Sequence, residues 1–313
     1  MNSVLTIVAP IFGLIALGFL AARFQWLGQS AGKGIAEFTF LVAMPALLFR
    51  TIVVSNMADA APGLLLTSYF ATVACIWVIA TAVSLLVLRR PREESAVFAM
   101  TASYGNIVLL GIPIAISAYG ERATPTAAIV VSMHVAALWL AACVHLALVD
   151  RSPQGSVRDL VGSVVKEFAR NPIVVAIVLA ALWRQTGLGL HVTLDRGMAL
   201  LAQASVPCAL FAVGFTLAGF RIAGEINALF VSCFLKNLVL PVLAWIVTVH
   251  VFGLPPLPAT IITLFAAMPT GTATYLFASS NGIAVDTTSA SVALSTAVSM
   301  LTLPIVLIVL GQP

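Results

Sequence analysis

"SYGNIVLLGIPIAISAYG", residues 103–120, lies inside an apolar chain yet carries Gly105, Asn106, Gly111 and Pro113. Gly and Pro are the poorest helix formers, and an asparagine amide finds no water in hydrocarbon. A second stretch of the same character, "AAMPTGTATYLFASSNG" (266–282), follows in the other half of the chain. Unwound backbone at membrane depth survives only where protein or a watery cavity satisfies its polar groups. Interrupted helices in corresponding positions of two halves mark the substrate site of a secondary transporter. At such breaks half-helix N-termini suit an anion and carbonyl ends suit a cation.

The rest of the chain is membrane-like. Its 313 residues are 61% hydrophobic and 8% charged, with a mean hydropathy of +1.11. That excludes a soluble domain. Apolar runs of about 20 residues, the length that crosses a bilayer, recur about ten times: 3–23, 33–54, 63–88, 95–118, 123–149, 171–185, 196–219, 226–251, 257–281 and 286–310. The sixth is short. The first lacks a basic start and a small-residue cleavage site, so it reads as a span rather than a signal peptide. The expected class is all-α integral membrane, multi-pass in the lipid bilayer.

Other classes are disfavoured by what the residues lack. The net charge of +4 comes from basic residues scattered over short loops without aromatic interleaving, so no nucleic-acid partner is expected. Cys75, Cys143, Cys208 and Cys233 all fall inside spans without C-x-x-C spacing and read as small buried hydrophobes. His134 and His145 share a helix face but stand about 16 Å apart along it, so no metal centre is expected. No cofactor motif is present, and no Ser/His or Asp/Asp pairing has a spacing that suits catalysis. An enzyme is therefore not expected.

The polar stretch 150–170 divides the chain into an N-terminal unit, 1–149, a linker loop, and a C-terminal unit, 171–313. "FLVAMPALLF" (40–49) in the first unit resembles "LAQASVPCALF" (201–211) in the second, through Pro45 and Pro207. "ASYGN" (102–106) corresponds to "AAMPT" (266–270). Five spans per unit force the second unit to enter the membrane from the opposite side, which makes an inverted repeat. Alternate loops hold ten basic residues (Arg23, Lys33, Arg89, Arg90, Arg92, Arg151, Arg158, Lys166, Arg170, Arg221) against four (Arg50, Arg122, Arg184, Arg196). Positive-inside then places the 150–170 loop in the cytoplasm and both termini outside, in a cytoplasmic membrane.

"GNIVLLGIPI" (105–114), "MPTGTATYLFA" (268–278) and "VAMPALLF" (42–49) together resemble the auxin efflux carrier family, which includes plant auxin carriers and bacterial carriers such as those for malonate. The resemblance implies two inverted five-helix repeats whose fourth and ninth helices are broken and cross, with a small organic anion bound beside the crossing and moved by an elevator-like displacement. By position it implies that Asn106 touches substrate, that Gly105, Gly111 and Pro113 shape the first crossover, and that Pro269 and Gly271 shape the second. Plant members carry a further proline where this chain has Thr274; that hydroxyl, with Thr270, is a candidate substrate contact. Tyr104, with Ser103 and Met133, is a candidate to line a cavity, against packed helix interface.

Lys236 in "VSCFLKNLVLPVLAW" (231–245) lies near the middle of the eighth span, beside Asn237 and one turn before Pro241. A charge at that depth is a functional-site candidate by default, with snorkelling as the bland alternative. None of the eleven acidic residues, Glu37, Asp59, Glu93, Glu94, Glu121, Asp150, Asp159, Glu167, Asp195, Glu225 and Asp286, falls at mid-membrane to neutralise it. An unpaired lysine between half-helix N-termini suits a carboxylate. The leading function is a secondary carrier of a small organic anion; a receptor or scaffold, and an intramembrane enzyme, are the alternatives. Whether Lys236 binds substrate or supports the crossover, and whether the chain forms a homodimer, stay open at this point.

The orientation is directly testable. In a cysteine-free background, a cysteine at Ser156 will be protected from impermeant thiol reagents in intact cells, and one at Gly120 will be labelled. The reverse labelling pattern would invert the topology.

Overall fold

A computed structural model of the chain describes residues 2–54, 61–149, 171–219 and 225–311, with side chains of the first helix from residue 9 onward. The 150–170 linker, with its four basic residues, lies outside them, as do Asp59, Asp150, Asp159, Glu167 and Arg221. The described residues are helical and form no strand; one isolated backbone bridge joins Gly105 to Thr270.

Among the described residues, six stretches are long and apolar enough to cross a membrane: Gln29–Val54, Pro62–Val87, Ile107–Val149, Val192–Leu217, Ile226–Val251 and Val285–Leu310. Ala9–Arg23, Pro172–Gln185 and Pro256–Ala266 are shorter apolar helices. The 43-residue run Ile107–Val149 would measure about 65 Å if straight, twice a bilayer core. It is not straight. Gly120, at φ +69, turns the chain between Ile112–Tyr119 and Thr124–Val149. Large apolar side chains such as Leu148, 80% exposed, cover the outside, as lipid contact requires.

Local sequence explains where the helices start and widen. Asn171 caps Pro172–Gln185 by accepting from the Ile173 and Val174 amides at 3.0 and 3.4 Å, with Pro172 at the first helical position. Three wide, π-helical turns, Thr39–Ala43, Ile107–Gly111 and Leu235–Val239, each end two residues before a proline: Pro45, Pro113 and Pro241. Proline cannot donate, and its ring crowds the carbonyl four residues back; the wider turn makes room for both defects. Pro207 has no such turn and sits inside the regular helix Val192–Leu217. Pro45 and Pro207, which the sequence places in similar segments, are thus accommodated differently.

Packing falls into two groups. Asn2–Arg23 lies along Val192–Leu217, and Gln29–Val54 packs on both Pro172–Gln185 and Val192–Leu217. The remaining helices pack chiefly on one another around the two broken ones. Glycines hold the first group together. A Cβ on Gly18 would collide with the Phe211 carbonyl and one on Gly214 with the Ile15 carbonyl, so the two backbones touch directly. Small residues permit such approaches in membranes, where dispersion and packing replace the hydrophobic drive. Ion pairs tie the helix ends. Arg50 holds Asp195 at 2.7 Å and Glu121 at 3.8 Å; Arg90 holds Glu94 at 2.7 Å and also pairs with Glu225. Its two carboxylate partners keep the Arg90 guanidinium above its ordinary pKa against the opposing effect of partial burial.

Gly214→Leu will separate the two helices and lower the melting temperature of the detergent-purified protein, since overpacking costs about 1–3 kcal/mol. Gly13→Ala on the same first helix, where a Cβ meets open space, will leave melting unchanged. Equal melting of both variants would remove the glycine contact as a source of stability.

Candidate functional site

The two breaks meet. The first broken helix, Arg92–Ser103, stops at Ser103 and resumes as the turn Ile107–Gly111. The second stops after Pro256–Ala266 and resumes at Ala273–Asn281. Between them the Asn106 amide donates to the Pro269 carbonyl at 2.8 Å and the Gly271 amide donates to the Tyr104 carbonyl at 3.1 Å. Gly105 and Thr270 face each other as one antiparallel bridge. Each interruption thus supplies the backbone partners that the other lost. Gly271 permits this approach, since a Cβ there would stand 2.7 Å from the Tyr104 ring.

Side chains satisfy what the bridge leaves over. Lys236 Nζ donates to the Ala266 carbonyl at 2.9 Å. His134 Nε2 lies 3.2 Å from the Gly105 carbonyl. A carbonyl only accepts, so Nε2 carries the proton and Nδ1 accepts from the Tyr69 hydroxyl at 2.6 Å. Thr270 Oγ1 donates to the Thr101 carbonyl at 3.1 Å, and Thr274 Oγ1 to the Gly271 carbonyl at 2.8 Å. The Thr270 amide donates to Ser295 Oγ at 2.9 Å, and Ser295 Oγ donates to Asn237 Oδ1 at 2.6 Å. Asn237 Nδ2 returns a bond to the Ser295 carbonyl at 2.8 Å.

All ten sequence candidates therefore lie in or beside one crossing, in different capacities. Thr270, Thr274 and Lys236 are buried, and their donors go to backbone carbonyls. Asn106 is half-buried, and neither its side-chain carboxamide nor the Tyr104 hydroxyl makes a hydrogen bond among the described residues, although the Asn106 backbone amide does. Gly105 lies against the Phe265 carbonyl and the Lys236 ammonium, Gly111 against the Phe265 ring, and the Pro269 carbonyl is half of the bridge. Pro113 stands beyond the break, on the first turn of Ile112–Tyr119.

The position of Lys236 corrects one expectation. Its ammonium sits on the carbonyl end of Pro256–Ala266, the negative end of a helix dipole, rather than between half-helix N-termini. It is fully buried, and no carboxylate pairs with it among the described residues.

His134 and His145 have separate partners. His145 accepts from Trp77 Nε1 at 3.1 Å and lies 3.3 Å from the Ser95 hydroxyl. No group of three His, Cys, Asp or Glu side chains suited to a metal occurs among the described residues. Reading the sequence missed Tyr69, His134 and Ser295 as supports of the crossing. For Ser295 a signal was present: Thr288, Ser291, Ser295 and Ser299 recur every three or four residues, one face of a helix.

Comparison with known proteins finds similarity along nearly the whole chain. The sequence pattern of a family described as "Membrane transport protein" matches residues 3–307. A Rhizobium meliloti protein named "Putative malonate transporter" is 26% identical over 305 residues, covering 96% of this chain and 94% of that one. A protein of Escherichia coli strain K12 named "Uncharacterized transporter YfdV" is 26% identical over 301 residues, covering 95% and 94%.

Lys236→Met keeps the side-chain length but strips the donor from a buried carbonyl. A hydrogen bond to a charged group contributes about 1.5–3 kcal/mol, so the melting temperature of the purified variant will fall. Unchanged melting would show that the lysine does not hold the crossing together.

Proposed function

The chain belongs to the membrane transport protein family, that of the auxin efflux carriers its motifs resemble, and on that premise we propose that it is a secondary carrier of a small organic anion, a mono- or dicarboxylate. One observation carries the reading: a fully buried lysine stands at the paired breaks with no carboxylate partner among the described residues. A buried charge without a counter-ion is costly, and an anionic substrate lowers that cost when it binds. Asn106 offers the adjacent side-chain carboxamide, which makes no hydrogen bond among the described residues. The relative named for malonate makes a short dicarboxylate the first substrate to test.

The same reading takes the chain as two inverted five-helix repeats, in which the broken helices are the fourth and ninth passes. Division of the packing into two groups supports an elevator-type motion, in which the crossing and its neighbours slide against the glycine-packed pair Asn2–Arg23 and Val192–Leu217 and the helices beside it. Lipid covers the apolar exterior, and the 150–170 loop faces the cytoplasm.

Uptake of labelled malonate and of a panel of organic acids into proteoliposomes tests the carrier. Wild-type protein will accumulate at least one carboxylate. Asn106→Ala will abolish that uptake with melting nearly unchanged, and Pro269→Ala will impair it. Uptake at wild-type rates in both variants would reduce these residues to packing; no uptake of any acid by the wild type would leave a receptor or scaffold.

A further inference from the structure

His134 is the one buried imidazole wired directly into the crossing. It is fully buried, its ring packs 4.4 Å from that of Tyr104, and its Nε2–H is given to the Gly105 carbonyl. Gly105 is the residue next to Asn106, whose side-chain carboxamide has no partner among the described residues. The ionisable groups facing it are Tyr69 of Pro62–Val87, Tyr104 of the break and Lys236 of Ile226–Val251. Pro256–Ala266, which packs on the same helix, has no ionisable residue. Those of the other neighbouring helices stand towards helix ends.

We infer that His134 is a proton-binding site that takes up one proton when the crossing receives a dianion, so that a dicarboxylate is bound together with a proton.

This rests on the anion-carrier reading and goes a step beyond it. Two features of the geometry lead there. The first is charge count. Lys236 offers one positive charge at the crossing, which balances a monocarboxylate but leaves a dicarboxylate with one excess negative charge in a low-dielectric site, where unbalanced charge is expensive. His134 is the remaining basic side chain at the crossing, and a dianion beside it offsets the cost that burial sets on its positive form.

The second is the hydrogen-bond pattern, which tolerates both states. With His134 neutral, the Tyr69 hydroxyl donates to Nδ1. With His134 protonated, Nδ1–H donates and the Tyr69 oxygen accepts, since a phenol can do either. One hydroxyl rotation suffices, the bond to Gly105 persists, and no bond is lost. The proton comes from solvent and goes to Nδ1; no other group changes its charge. In the empty site the neutral form is favoured, because burial penalises a charged ring and a second cation would also face Lys236 with no carboxylate nearby among the described residues. An arriving dianion reverses that preference. Linkage then requires that protonation strengthen dianion binding by the same factor as dianion binding favours protonation.

The test follows proton uptake on binding to purified protein in weakly buffered solution with an indicator dye, at neutral pH, where malonate is a dianion. Wild-type protein will take up close to one proton per malonate bound, and its malonate affinity will rise up to about tenfold per unit fall in pH. Acetate will bind with no proton uptake. His134→Gln, which keeps an N–H for the Gly105 carbonyl, will bind malonate without a proton and with affinity flat in pH. Tyr69→Phe, which removes the acceptor for a protonated Nδ1, will lower proton uptake even if the glutamine variant fails to fold. Proton uptake that persists undiminished in either variant, or malonate binding by the wild type without a proton, overturns the inference. Failure of the wild type to bind any carboxylate overturns instead the carrier reading on which it stands.

Discussion

Everything at the centre of this protein depends on one constraint: a helix cannot be interrupted inside a bilayer unless another part of the protein takes over its hydrogen bonds. Two broken helices do this for each other. Asn106 and Gly271 donate across the bridge to Pro269 and Tyr104, so each break is tolerable only because the other is present. An unsatisfied backbone group in hydrocarbon costs several kcal/mol, which makes the pair a unit. The side chains gathered there, Lys236, His134, Thr270, Thr274 and Ser295, close the polar groups that the bridge does not reach.

This explains which parts of the site are legible from residues alone. Gly105, Asn106 and the run "MPTG" (268–271) mark the breaks because Gly and Pro change local backbone preference, and local preference is written in local sequence. The role of Pro113 is less local. Seven residues separate it from Asn106, and the wide turn Ile107–Gly111 absorbs its missing donor, so the interruption lies upstream of the proline. Pairing between 104–106 and 269–271 depends on the folding together of distant segments, and no local pattern encodes it. Nor does a lone histidine announce its partners: Tyr69 is 65 residues away. At Lys236 the apolar flanks reveal depth, but only the fold reveals that a carbonyl end faces it. Gly18 and Gly214 pass for ordinary small residues until their helices are seen in contact.

The electrostatics are unusual for a membrane interior in being one-sided. Carboxylates among the described residues serve helix ends: Glu94 and Glu225 hold Arg90, while Asp195 and Glu121 hold Arg50. Lys236 shares none of them. Its ammonium finds the Ala266 carbonyl and the negative end of a helix dipole, a fraction of a counter-charge at most. Structural support and the proposed anion binding are therefore compatible duties for the same group. The bond to Ala266 fixes where the ammonium is, and the incomplete neutralisation leaves a field at the crossing that favours a negative ligand.

A crossing locked by backbone bonds also restricts how transport could proceed. Opening the bridge to pass a substrate through it would expose buried amides and carbonyls that have no alternative partners, a large barrier on every cycle. Moving the locked unit as a body breaks none of those bonds. The proposed elevator motion accordingly puts the weak seam elsewhere, between the helices around the crossing and the pair joined at Gly18 and Gly214. That pair is built for rigidity, with backbones in direct contact. Arg50 spans the seam: it holds Asp195 on its own side at 2.7 Å and Glu121, at the turn that ends the first broken helix, at 3.8 Å. Under the proposed elevator motion the shorter contact belongs to the side that would stay fixed and the longer, more exposed one to the side that would travel, which is the order expected if the second contact is remade in each cycle while the first endures.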